Sequence, residues 1–309
     1  MRDAWGRELW VVVWVGCSAL FAPASSGAQV TGVPSTGAVK PQQQAAGTVG
    51  LAGQRRKVPW SEPRWEDYTT GAVALAGTGG LLWVNHQYNK PRWDQRLFID
   101  PSLRRMVRFS TSTGRSWAGL ISDMVLGSLV LGPNLVSAPL AYKKYGPKAA
   151  ELLVINMQMI SYVGFVTELS KILIGRARPY YRTCAGTRPD DDCGSVGVDE
   201  SMISGHAAMS VASASLMCLH QEKAQLLTHR FGQAGCAMAL GMAVSASMLR
   251  IASDRHYPSD VLVGAAVGVV LGYLVPKWRY YSGAAPGDGM IAPLGVPGGV
   301  GLMWMTPLL

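Results

Sequence analysis

Residues 250–276, RIASDRHYPSDVLVGAAVGVVLGYLVP, decide how this chain folds. Pro258 suits the first turn of a helix, because the N–H it lacks is one that the turn leaves unpaired anyway. From Asp260 onward the run is apolar, and Gly264, Gly268 and Gly272 recur at every fourth position. That spacing puts all three on one helical face and lets a neighbouring helix approach closely, as in membrane bundles. Asp260 falls on the same face and therefore points toward the bundle. Small residues repeat the pattern upstream at Gly235, Ala239, Ala243 and Ser247.

Working outward, apolar segments lie near residues 69–84, 117–141, 149–169, 205–219, 232–249 and 260–276. The expectation is an all-α bundle of about six apolar helices associated with a membrane. A close-packed soluble bundle stays open as the alternative, because several segments are short or interrupted by Asp123, Asn156, Gln158 and Glu168.

Chemistry gathers at the ends of these segments, in three clusters. In the last, His256 is followed four residues on by Asp260. A carboxylate so placed can accept the Nδ1 proton, leave Nε2 as a bare lone pair to attack phosphorus, and stabilise the imidazolium that forms. Arg250 brings a planar fork suited to oxyanions. In the middle cluster, Met202-Ile203-Ser204-Gly205-His206, a loop turns into a helix. Ser204 is an N-cap, Gly205 lets the backbone approach an anion, and the helix dipole favours negative charge there. His206 is placed as general acid for a leaving alcohol and later as base for water. In the first cluster, Lys171 ends an apolar helix and Arg178 projects from the extended exit that Pro179 imposes, so both can clamp phosphate oxygens. The inventory suits capture and transfer of a phosphoryl group without a metal.

These residues resemble the type 2 phosphatidic acid phosphatase (PAP2) superfamily, which includes bacterial non-specific acid phosphatases and vanadium haloperoxidases. The resemblance covers roughly residues 117–276 and all three motifs; Ile203 stands where proline is usual, and Leu249 where serine is frequent. It implies a helical core and a phosphohistidine mechanism. By the same resemblance Lys171, Arg178, Ser204, Gly205 and Arg250 bind phosphate, His206 is the acid and base, His256 is the nucleophile and Asp260 orients it. The expected activity is metal-independent hydrolysis of phosphate monoesters or pyrophosphates, lipid phosphates above all, with no cofactor. The alternatives are a vanadate-dependent haloperoxidase, in which vanadate would occupy the same cations, and a soluble periplasmic acid phosphatase.

Composition bounds the remainder. With 309 residues, 49% of them hydrophobic, the chain can fill one large helical core, and its net charge of +9 suits an anionic substrate or surface. No basic run interleaved with stacking aromatics points to nucleic acid. Residues 1–28 read as a signal peptide: Arg2 and Arg7 precede an apolar stretch, and Ser26-Gly27-Ala28 forms a small-residue cleavage site. Residues 29–58 form a low-complexity linker, 59–281 the helical domain and 282–309 a Gly/Pro-rich tail, in which Gly298–Trp304 is either a short strand or an irregular end. Pro59-Trp60 to Trp65 is either an interfacial cluster or a packed cap on the domain. Gly77-Thr-Gly79-Gly80 lacks the Lys of a phosphate loop, and Asp190-Asp191-Asp192 reads as a solvated turn. Cys184 and Cys193 are expected to pair across a small loop in an oxidising compartment, whereas Cys218 and Cys236 read as packed thiols.

The resemblance implies a site facing away from the cytoplasm, whereas a cleaved signal followed by six spanning segments would put it inside, so one of these assumptions must yield. The region 85–116 carries Lys90, Arg92, Arg96, Arg104, Arg105, Arg108 and Arg115, a load kept in the cytoplasm if both flanking segments spanned. The first segment is therefore expected not to span, with the second to sixth either spanning or forming a periplasmic globule.

Overall fold

The computed structural model describes residues 58–87, 90–181 and 197–282, with the backbone of 290–296 and 299–305. Each apolar segment falls in a helix: α1 (Trp65–Gln87), α3 (Ser112–Tyr145), α4 (Ala150–Ile174), α5 (Gly205–Ala224), α6 (His229–Ala252) and α7 (Pro258–Val269). A short helix, α2 (Asp100–Val107), lies between the first two. Beyond α7 a π turn (Val270–Leu274) runs into α8 (Val275–Tyr281). The domain is all-α, as expected. In the tail, β1 (Met290–Val296) and β2 (Gly299–Met305) form an antiparallel hairpin with Met290 opposite Met305, so of the two readings the strand holds. The signal peptide, nearly all of the linker, the acidic turn at 190–192 and the Cys184–Cys193 pair lie outside the described residues.

Helix ends follow local chemistry. Thr111 caps α3 by accepting from the N–H of Gly114 at 3.1 Å. Helix α4 ends at Gly175, whose left-handed backbone (φ 57°) returns its N–H to the carbonyl of Lys171 at 2.8 Å. A β-carbon there would also displace the exposed Arg92 guanidinium, 2.5 Å away, but it is the left-handed backbone that calls for glycine. Pro258 opens α7 as its position suggests.

The glycine face of α7 is where the bundle is tightest. A β-carbon on Gly264 would stand 2.5 Å from the carbonyl oxygen of Ser204, one on Gly268 2.5 Å from that of Ala208, and one on Gly272 2.4 Å from that of Ala212. Helices α5 and α7 therefore touch backbone to backbone. On the other side of α5, Ala239 and Ala243 of α6 pack with Ala214 and Leu129. Close α5–α6 packing also corrects the reading of the cysteines: Cys218 and Cys236 are a disulfide with Cα atoms 4.9 Å apart. Each thiol sits in its own apolar segment, and only the antiparallel approach of the two helices brings them within bonding reach.

At the end of the bundle where α4 begins, Trp60 is buried with Leu152, Ile155, Met159 and Tyr280, and its indole N–H donates to Glu151 at 2.8 Å. Trp60 is thus a packed cap, while Trp65 stays exposed. Among the described residues, three stretches are long and apolar enough to cross a membrane: Ser112–Ile174, His229–Ala252 and Pro258–Tyr281. Helices α1 and α5 are not among them.

Candidate active site

The three clusters converge at one end of the bundle, where α4 and α6 finish and α5 and α7 begin. Lys171 lies on the last turn of α4, its ammonium 2.6 Å from Glu168 and 3.6 Å from Glu200. After Gly175 the chain runs extended beside Trp93, and Arg178 leaves it to place Nη2 3.2 Å from Glu200. Ser204 caps α5 as expected, accepting from the N–H of Ala207 at 3.4 Å, and Gly205 is the first helical residue. Arg250, on the last turn of α6, donates from Nη1 to Asp123 at 3.0 Å. The same Asp123 oxygen lies 2.6 Å from His206 Nε2.

Asp123 was visible in the sequence only as an interruption of an apolar segment. A carboxylate in that setting is a functional candidate by default, and this was the signal to follow. It is the group that ties α3 to the second and third motifs.

Both imidazoles are pushed toward neutrality. Burial holds His256 well below the usual histidine range, and the cations of Arg250 and Arg178 add to the effect, against the hydrogen bond that His256 donates to the Ser201 carbonyl. Burial and Arg250 lower His206 to about 4, opposed by Asp123. These mutual influences place the two histidines and the motif cations in one electrostatic neighbourhood. The Nε hydrogens of Arg178 and Arg250 are buried and unpartnered among the described residues, so two guanidinium donors stand ready for an acceptor.

The partner of His256 corrects the expectation for Asp260. Nδ1 of His256 lies 2.6 Å from the main-chain carbonyl oxygen of Ser201, which accepts its proton. Asp260 is fully committed elsewhere: Oδ1 receives Arg176 Nη1 at 2.5 Å, and Oδ2 receives the Ser201 hydroxyl at 2.5 Å and the Tyr257 N–H at 2.8 Å. Asp260 thus supports the histidine at one remove, by fixing the residue whose carbonyl holds it.

Arg176, two residues before Arg178 and given no role by the sequence, is the reason. Its guanidinium is fully buried and lies between the rings of Trp93 and Tyr257, with centroids at 4.5 and 4.4 Å. Beyond Asp260 it donates to Ser259 Oγ at 2.8 Å and to Asp100 at 2.7 Å. A second buried acid, Asp254, sits between Arg250 and His256 in sequence and is held by Arg104 at 2.6 Å and Arg108 at 2.8 Å. Through these two contacts α2 is strapped across the site end of the bundle.

No curated protein and no solved structure matches the chain. Residues 152–284, from α4 through the end of α8, match the model of the PAP2 superfamily. Those residues, under half of the chain, hold all three clusters, and over them the chain is similar to the PAP2 superfamily.

Proposed function

We propose that this protein is a metal-independent phosphatase acting on phosphate monoesters or pyrophosphates carried by lipids, through a phosphohistidine at His256. The superfamily supports phosphatase-type activity in general. The observation that carries the finer reading is the state of His256: neutral through burial, with Nδ1–H held by the Ser201 carbonyl, its Nε2 lone pair is free to act as a nucleophile.

In the first step Nε2 of His256 forms a bond to phosphorus while the bond to the leaving oxygen breaks. His206 gives its proton to that oxygen. Lys171, Arg178, Arg250 and the N–H groups at the start of α5 hold the equatorial oxygens, whose charge grows in the transition state. In the second step His206 takes a proton from water, the water oxygen attacks phosphorus, and the P–N bond breaks to release inorganic phosphate. A bound phosphoryl dianion raises the affinity of His206 for a proton, which equips a histidine of low intrinsic basicity to serve as the acid.

A lipid substrate fits the placement of the site at the end of stretches long enough to cross a membrane, where a headgroup would lie. That the site faces away from the cytoplasm rests on the family resemblance; the Cys218–Cys236 bridge, toward the other ends of α5 and α6, fits an oxidising compartment without saying which side the site faces. The test is phosphate release from phosphatidate, phosphatidylglycerol phosphate, isoprenyl pyrophosphate and soluble esters. Activity should persist in chelator, be blocked by vanadate and be lost in His256→Ala. Full activity in that variant, or activity that disappears with chelator and returns with a divalent cation, would overturn the reading.

A further inference from the structure

Helix α2 turns Asp100 and Arg104 inward, with Val107 the apolar side chain that it packs on the core. Asp100 is buried against Arg176, and Arg104 together with Arg108 closes on the buried Asp254. The outward side of α2 carries exposed Leu103 and Met106, the latter 80% exposed, beside Ser102 and Arg105, and Phe98, in the turn leading into the helix, is 92% exposed. Burying side chains of this size is favourable, so a clamped segment that holds Phe98 and Met106 outward is built to be covered.

The surrounding charge says by what. Lys90, Arg96 and Arg105 are exposed beside these apolar groups, whereas of the acids between residues 90 and 111 only Asp94 is exposed, Asp100 being buried. Position points the same way. The stretch Ser112–Ile174, apolar enough to cross a membrane, starts just beyond α2, and Trp117 and Leu120 extend the exposed apolar surface onto its first turns.

We infer that residues 96–106 are an interfacial anchor that sets Phe98 and Met106 into the boundary between headgroups and acyl chains of an anionic bilayer, with Arg96 and Arg105 at the lipid phosphates. The segment lies outside residues 152–284, so the family match does not carry it. Because α2 is clamped to Asp254 and, through Asp100 and Arg176, to Asp260, the anchor fixes the depth of the site relative to the bilayer surface.

The test reads position and not activity, so it stands or falls independently of the phosphatase reading. Phe98→Cys and Met106→Cys, each labelled with bimane, are reconstituted in phosphatidylcholine bilayers with and without phosphatidylglycerol, the labelled parent protein giving the background of its own thiols. In the anionic bilayers, both labels should be quenched more by a nitroxide at a shallow acyl position than by a deep one, and little by aqueous iodide. Arg96→Gln/Arg105→Gln in the same background should reduce that quenching to its level in neutral bilayers. Labels open to iodide and indifferent to nitroxide lipid would overturn the inference. Labels shielded from both would also overturn it, since protein would then cover the face.

Discussion

His256 gives its Nδ1 proton to the main-chain carbonyl of Ser201 at 2.6 Å, and the hydroxyl of the same serine donates to Asp260 at 2.5 Å. One residue thus links the histidine to the carboxylate that sequence spacing assigned to it directly. The carbonyl fixes which ring nitrogen carries the proton; the hydroxyl fixes the carbonyl.

Ser201→Ala should therefore behave unlike His256→Ala. It keeps the acceptor and loses only the bond that steadies it, a loss of about 1–1.5 kcal/mol, or roughly tenfold in kcat. Steady-state kinetics on one soluble ester would check this, and a loss as complete as that of His256→Ala would mean the hydroxyl does more than position.

Arg176→Met should unfold the domain at lower temperature. It leaves Asp100 and Asp260 buried without their shared cation, which costs about 3–5 kcal/mol. Arg176→Lys should recover little, because an ammonium cannot reproduce the fork that bridges both acids and Ser259. Thermal melts of the two variants beside the parent would decide.

Asp123→Asn should act through His206. Removing the carboxylate takes away what raises the basicity of His206 against burial and Arg250, so less of the imidazole is protonated to act as acid and its neutral form is a weaker base. Loss of general acid catalysis is worth about 10²–10⁴ in rate, so a partial loss here should reach roughly 10² for alkyl esters and far less for aryl esters with good leaving groups. An equal loss across both would assign Asp123 to binding alone.

Much of the site was legible because its signals are local. Lys171, Arg178, the Ser204-Gly205 cap, Arg250 and the two histidines each mark a helix end, and helix ends leave a clear imprint on sequence. Six apolar segments and the glycine face of α7 came through for the same reason. What escaped depends on contacts between distant segments. Asp100, Asp123, Arg176 and Asp254 are single charges whose partners lie on other elements, and spacing along the chain does not carry that geometry. The same holds for Cys218 and Cys236, which only the α5–α6 contact brings together, and for α2, an eight-residue helix that turns Asp100 and Arg104 inward.

Packing supplies a prediction with its own control. Gly264→Ala would press a methyl group against the Ser204 carbonyl and shift the start of α5, which carries both the anion cradle and His206. Overpacking of this kind costs about 1–3 kcal/mol, and activity should fall with stability. Gly79→Ala in α1, where no atom lies within 4 Å of the added carbon, should be neutral or stabilising by roughly 0.4–1 kcal/mol. Melting temperature and turnover of the pair are the measurements.

The pH dependence of stability follows from three low-basicity histidines, His206, His256 and the buried His220. Each binds a proton less readily folded than unfolded, so the unfolded state takes up more protons as pH falls below the ordinary histidine value of 6.5. Stability should be level above that pH and decline from it toward about 4, where His206 titrates in the folded protein. His206→Gln should flatten part of the decline in denaturant titrations at fixed pH values.

The central claim is that His256 carries the phosphoryl group. Turnover of a ³²P-labelled ester, quenched in alkali and digested, should give a single phosphorylated peptide containing His256 whose label is stable in base, lost in acid and absent from His256→Ala. Under the proposed order of steps, His206→Ala should still accumulate that peptide when the substrate has a good leaving group. An acid-stable phosphate on any other residue, or full burst turnover with no covalent label at His256, would contradict the account.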